Sequence, residues 1–218
     1  MKKLVVAIDG PAGAGKSTVA QMAAKKLGFT YIDTGAMYRS VAWKILQQGK
    51  PVTDELFIEV VKDIDVRLNY SDGKTVVLAD GKDVSALIRT PEVTAIVSQV
   101  AALGPVRSKM VELQREMADV GSVIMDGRDI ATNVLPNADV KIFLTASIEE
   151  RAMRRYKEMK QKGFDVDLEK LKAEIAARDK ADSEREISPL VKAEDAELLD
   201  TSNMSIDEVV EAILERCR

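Results

Sequence analysis

Leu4-Val5-Val6-Ala7-Ile8-Asp9-Gly10-Pro11-Ala12-Gly13-Ala14-Gly15-Lys16-Ser17 carries two signals in one stretch. Leu4 to Ile8 is a continuous β-prone apolar run, the pattern of a strand buried on both faces. Gly10 to Ser17 fits G-x-x-x-x-G-K-[ST] without a mismatch, the pattern of a loop that cradles phosphate. Small residues let the backbone wrap close to an anion, so that successive N–H groups point inward. A helix beginning at the end of such a loop presents its positive pole to the same anion. Lys16 is expected to reach the β- and γ-phosphates of a nucleoside triphosphate. Ser17 is expected to offer its hydroxyl to Mg²⁺, a hard ion suited to oxygen ligands. Gly10, Pro11, Ala12, Gly13, Ala14, Gly15, Lys16, Ser17 and Thr18 are thus the expected triphosphate-binding residues.

Moving outward, Ser17 to Leu27 has helical spacing and ends at Gly28, a natural C-terminal stop. Phe29 to Ile32 reads as a second strand, and Ala36 to Gln48 as a second helix closed by Gly49 and Pro51. The order β–α–β–α predicts a parallel sheet covered by helices. Residues 53–62 read as a helix. Val66 to Tyr70, Thr75 to Leu78 and a short piece near Val84 read as strands joined by Asp-Gly turns, a local antiparallel meander. Thr90-Pro91 and Pro105 open further helices. Ser122 to Met125 and Val140 to Leu144 return to the sheet. Ser147 with Glu150 caps a strongly charged helix ended by Gly163, and Leu168 to Arg178 reads as another charged helix. Glu197 to Asp200 reads as a last strand, and Ser205 with Glu208 caps the last helix. The expected fold is α/β: a three-layer core with a central parallel sheet, a small antiparallel β insert and a helical lid. One domain over 1–218 is expected, with an insert at 36–104 (its meander near 66–85) and a lid region at 150–182.

Composition sets limits. The 218 residues are 46% hydrophobic and 31% charged, an ordinary globular balance. A net charge of −4 argues against a nucleic-acid partner held by bulk electrostatics. No stretch approaches the ~18 apolar residues that span a bilayer. The expected setting is cytoplasmic and the expected state monomeric. The chain has no histidine and one cysteine, Cys217, which removes Ser-His-Asp and Cys-His chemistry, disulfide frameworks and cysteine-based zinc sites. Lys, Arg, Asp, hydroxyls, backbone amides and a hard metal remain.

In a doubly wound sheet the carboxyl ends of the strands line the ligand crevice. Asp33-Thr34-Gly35-Ala36-Met37-Tyr38-Arg39 leaves that edge after the second strand, and Asp126-Gly127-Arg128-Asp129 after the third. Arg178, Asp182 and Arg185 come from the second charged helix and its end. Arg39, Arg128, Arg178 and Arg185 are expected to converge beside the phosphate loop, where phosphoryl transfer needs cationic stabilisation. Asp126 is expected to reach the metal through water. Arg151 and Arg155 are expected to be solvated surface charges. The loop alone leaves open a small-molecule kinase of another specificity, such as an adenylate or uridylate kinase, or a non-catalytic ATP-binding regulator. A GTPase is disfavoured because no N-K-x-D occurs.

IDGPAGAGKST, YIDTGAMYR, IRTPEV with SQVAA and VR, MDGRDI, and RD with DS, R and SPL follow one another in this order. This series resembles bacterial cytidylate kinases from about Leu4 to about Asp200. The resemblance implies a nucleoside monophosphate kinase fold with a P-loop core, a monophosphate-binding insert and an arginine-bearing lid. It implies transfer from Mg²⁺-ATP to CMP or dCMP. It assigns base contacts to Ser98, Arg107 and Asp129, ribose contacts to Arg178 and Asp182, and phosphate contacts to Arg39, Arg128 and Arg185, with Thr34 nearby. Lys16, Arg128, Arg178 and Arg185 are the expected catalytic group. Cytosine offers an N4 amine and the N3 and O2 acceptors. Asp129 and Ser98 suit the amine and Arg107 the acceptors, so uracil would bring its O4 lone pairs against acceptors. Two positions depart from the family's usual pattern: Ala131 stands where Gly is frequent, and Asn133 where Val is frequent. Both changes are small and lie beyond the carboxylate of Asp129, so the reaction is expected to be unaltered and only the local turn geometry to be affected.

Overall fold

The computed structural model describes residues 3–161 and 163–218; Met1, Lys2 and Lys162, the last part of the charged run before Gly163, lie outside the described residues. Five parallel strands form the main sheet: β1 (Val5–Asp9), β2 (Thr30–Asp33), β6 (Val123–Gly127), β7 (Val140–Thr145) and β8 (Glu197–Asp200). Their order is β2-β6-β1-β7-β8, with β1 between the third and fourth apolar runs of the chain. The register pairs Asp33 with Asp126, and Asp9 with both Gly127 and Phe143. The carboxyl ends of β1, β2 and β6 therefore reach one edge together, and every candidate loop leaves from it.

Side chains alternate across β1. Val6 and Ile8 face a core shared with Ile124, Ile142 and Leu144 and covered by α1 (Lys16–Leu27) and α8 (Ile206–Arg216). Ala7 faces the opposite core with Ile32, Val123 and Met125. Burial on both faces is what the unbroken apolar run required. At the C-terminus of α1, Gly28 adopts φ +70, and the N–H of Phe29 donates to Ala24 O at 2.9 Å, closing the helix as a Schellman turn. In α8, Ser205 and Glu208 form the reciprocal capping box expected of them.

A second core lies between α2 (Thr34–Gln47), α3 (Asp54–Asp63), α4 (Pro91–Ala102) and α5 (Gly104–Ala118), centred on Met37, Val41, Ile45, Phe57 and Met110. Each such fully buried side chain contributes about 1.5–3 kcal/mol of transfer free energy. The meander forms a separate antiparallel sheet of β3 (Val66–Ser71), β4 (Lys74–Ala79) and β5 (Lys82–Asp83). Its Val77 and Ala79 pack with Val84, Ile88 and Ala36, which seats the small sheet against the start of α2. The two charged helices are α6 (Ile148–Gln161) and α7 (Leu168–Glu184), packed on each other. α7 runs further than the expected end at Arg178, so Arg178 and Asp182 share one helix and Arg185 forms its C-cap. Helix α2 starts two residues earlier than read, because Asp33 caps it by accepting from Ala36 N at 2.9 Å.

Candidate active site

The loop between β1 and α1 has no room for side chains at its start. Gly10 has φ +149, and a Cβ there would meet Leu144 O at 1.9 Å. Gly15 has φ +89 at the N-cap of α1, a left-handed conformation that glycine adopts freely. Lys16 is buried and folds back on its own loop, donating to Gly10 O and Pro11 O, each at 2.8 Å. Burial pulls its pKa down to about 7, and the nearby Arg128 adds to the shift. Ser17 Oγ donates to Asp126 Oδ2 at 3.1 Å, and Tyr31 OH donates to Asp126 Oδ1 at 2.7 Å. Burial raises the Asp126 pKa to about 6, with Asp33 contributing next. Thr18 stands exposed in the first turn of α1.

The expected arginines gather at the same strand ends. Arg128, just past β6, donates from Nε to Asp182 on α7 at 2.9 Å. Arg178, one turn back on α7, keeps Nε buried without a hydrogen-bond partner. Arg128 and Arg178 both act on Lys16 through space. Arg39, on α2, donates to Thr94 Oγ1 at 2.8 Å. Burial lowers its pKa to about 10, with Arg178 and Arg89 next among the causes. Mutually repelling, partly desolvated cations of this kind suit an anionic ligand. Thr34 Oγ1 is occupied in donating to Asp126 O at 2.8 Å.

A second cluster lies alongside. Asp129 is buried and accepts from Arg107 Nη2 of α5, while Arg185 Nη2 lies 3.6 Å from its other oxygen. Arg107 also stacks 5.5 Å from the Tyr38 ring centroid. Ser98 is half-buried on α4, one turn beyond Thr94. The turn carrying Asp129 is a π-helical segment, Ile130–Val134, which the residue pattern gave no sign of. Buried Asp9 fixes it by accepting from Ile130 N and Ala131 N, both at 2.8 Å. Burial raises the Asp9 pKa to about 6, against the pull of those two amides.

One expectation needs correction. Arg151 is not a solvated surface charge: it is 6% exposed and donates to Ala12 O inside the phosphate loop at 2.8 Å. Arg155 is the partly exposed surface charge expected, paired with Glu158 at 3.3 Å, and its charge also reaches Arg39. Asn133, beyond the carboxylate in sequence, folds back on it, and its Nδ2 donates to Asp129 Oδ2 at 3.0 Å. Its position four residues after Asp129 was the available signal. For Arg151 the signal was a helix leaving the same sheet edge as the loop.

The family model described as cytidylate kinase matches residues 6–218. Curated cytidylate kinases of Bacillus thuringiensis (strain Al Hakam) and Bacillus cereus (strain AH187) are each 55% identical over 214 residues, covering 98% of this chain and 95% of the relative. A crystal structure of an uncharacterized protein from Eubacterium ventriosum, 15% identical with TM-score 0.55, covers 98% of this chain and 97% of that one and shares the fold. With both clusters of charged side chains at one sheet edge and a match over nearly its whole length, the chain belongs to the cytidylate kinase family.

Proposed function

We propose that the cleft transfers the γ-phosphoryl group of ATP to the phosphate of CMP or dCMP, giving ADP and CDP or dCDP. The observation that carries this reading is the convergence of Lys16, Arg128, Arg178 and Arg39 beside a buried Arg107–Asp129–Arg185 cluster. In this reading residues 36–104 form the monophosphate-binding insert and residues 150–182 the lid, in a single domain. The protein works in the cytoplasm as a monomer, with nucleotides as its partners.

The triphosphate lies along the amides from Gly10 to Thr18. Lys16 exchanges its two loop carbonyls for the β- and γ-phosphates, and the phosphate charge restores its proton affinity. Ser17 and Asp126 present only oxygen ligands, 3.1 Å apart, which suits Mg²⁺. Bound there, Mg²⁺ would neutralise charge on the β- and γ-oxygens. The cytosine amine donates to Asp129 and Ser98, and Arg107 donates to the ring acceptors. Arg178 and Asp182 hold the ribose, and Arg39, Arg128 and Arg185, beside Thr34, hold the acceptor phosphate. An oxygen of that phosphate forms a bond to the γ-phosphorus as the bond to the β-phosphate oxygen breaks. The acceptor oxygen is already ionised, so no proton moves and no histidine is needed. Arg128, Arg178 and Arg185 offset the charge that spreads over the transferring group.

A coupled ADP-release assay over CMP, dCMP, UMP, AMP and GMP tests the reading. CMP and dCMP should be the best acceptors. AMP or UMP in first place would overturn it.

A further inference from the structure

The two charged helices do more than surround the phosphate loop. Ala12 is held on both sides of its backbone. Its carbonyl accepts from Arg151 Nη1 at 2.8 Å, and its N–H donates to Asp179 Oδ1 at 3.3 Å. Arg151 Nη2 and Asp179 Oδ2 close the ring at 2.7 Å, and Arg151 Nε is tied to Ala146 O at 3.0 Å. The neighbouring loop residues are gripped by the same helix. A Cβ on Gly13 would lie 3.4 Å from Arg151 Cβ, and Arg154 Nη1 donates to Ala14 O at 3.3 Å. α6 and α7 thus meet at one residue of the loop through a fork-shaped donor and a carboxylate acceptor.

We infer that Arg151 and Asp179 are positioning residues for the triphosphate: as a pair they set the orientation of Ala12, and through it the amides that follow. An amide cradle binds only if successive N–H groups point at one centre, so a rotation at Ala12 misdirects its neighbours. The planar guanidinium can bond Ala146 O, Ala12 O and Asp179 together, whereas a lysine ammonium has one nitrogen and cannot span all three. The inference rests on the kinase reading only for the identity of the triphosphate.

The test measures Mg²⁺-ATP binding by calorimetry without acceptor, and CMP binding separately, in the full chain. Variants are Arg151→Lys, Asp179→Asn and the double. Each single change should weaken ATP binding about five- to tenfold, consistent with loss of a charge-assisted contact. CMP binding should stay within about twofold, and the double variant should be no worse than the larger single, because the pair acts as a unit. Arg151→Lys keeps the positive charge, so unchanged ATP affinity there would reduce the pair to bulk charge and overturn the inference. So would tighter ATP binding, equal weakening toward CMP, or singles that simply multiply. Asp179 is partly exposed and its change conserves shape, so it carries the test alone if Arg151→Lys does not fold. A wild-type chain that binds ATP yet transfers nothing to CMP would defeat the kinase reading while leaving the clamp measurable.

Discussion

The glycine-rich loop and the arginine-lined acceptor side of the cleft gather hydrogen-bond donors by opposite means. The loop uses the backbone of consecutive residues, Gly10 to Ser17, in which Gly10 has no room for a Cβ and Gly13 and Gly15 take left-handed conformations. The acceptor side uses guanidinium groups from α2, α5, the segment after β6, and α7 with its C-cap. The loop's N–H groups belong to the main chain and are steadied at Ala12 by the Arg151–Asp179 pair. The arginines rely on carboxylates along the cleft: Asp182 holds Arg128, and Asp129 holds Arg107 and Arg185. Desolvated cations left without such partners would be costly, so the carboxylates keep the cage assembled before substrate arrives. Lys16 stands between the two designs. It is a side chain of the loop, parked on loop carbonyls, and its charge is already weakened by burial and by Arg128.

The contrast can be broken most severely at Lys16. Lys16→Met should lower kcat/KM by about 10³-fold, the scale of losing a positioned charge at a transferring phosphoryl group. A loss under about tenfold would mean that the backbone cradle suffices alone. On the acceptor side, Asp129→Asn removes the carboxylate that holds Arg107 and that the proposed function sets against the base. It should lower kcat/KM for CMP by about 10- to 100-fold and shrink the preference for CMP over UMP, with KM for ATP unchanged. Steady-state kinetics with both acceptors checks this, and an unchanged preference would remove Asp129 from base reading. The smallest effect sharpens the position of Lys16. Its pKa is about 7 in the free chain and rises when phosphate charge approaches. The complex then holds more protons than its separated parts, so ATP binding takes up protons and weakens as pH rises above 7. The expected change is a few-fold between about pH 7 and pH 8, read by calorimetry in buffers of different ionisation enthalpy. Proton release instead of uptake would contradict the burial of Lys16.

Much of this was legible in the residues. Val5 to Ile8 and Val123 to Met125 are apolar without alternation, and only a sheet covered on both faces satisfies such runs. The Asp-Gly turns at Asp72-Gly73 and Asp80-Gly81 marked the small antiparallel sheet, where both aspartates have positive φ. Arg39 and Arg128 were nameable because they follow strands and sit near glycines, Arg178 and Arg185 because they belong to the second charged helix and its end, and Arg107 only through the family resemblance. Arg151, Asp179 and Asn133 were not, since each is an ordinary polar residue on a helical segment and acquires its role from a partner distant in the chain or one turn away. The π-helical turn after Asp129 was equally hidden, because what stabilises it is Asp9, far away in sequence.

The sequence by itself determined the phosphate loop, the parallel core and the kind of chemistry available to a chain without histidine. These depend on local conformation, on hydrophobic periodicity and on which functional groups exist, all of which travel with the residues. Tertiary structure alone decided which charges meet. Lys16 lost proton affinity, Arg151 became a loop ligand and Asp129 gathered two arginines only when folding removed water from between them. Electrostatic coupling depends on distance and desolvation, and neither is set until the sheet edge and the helices around it come together.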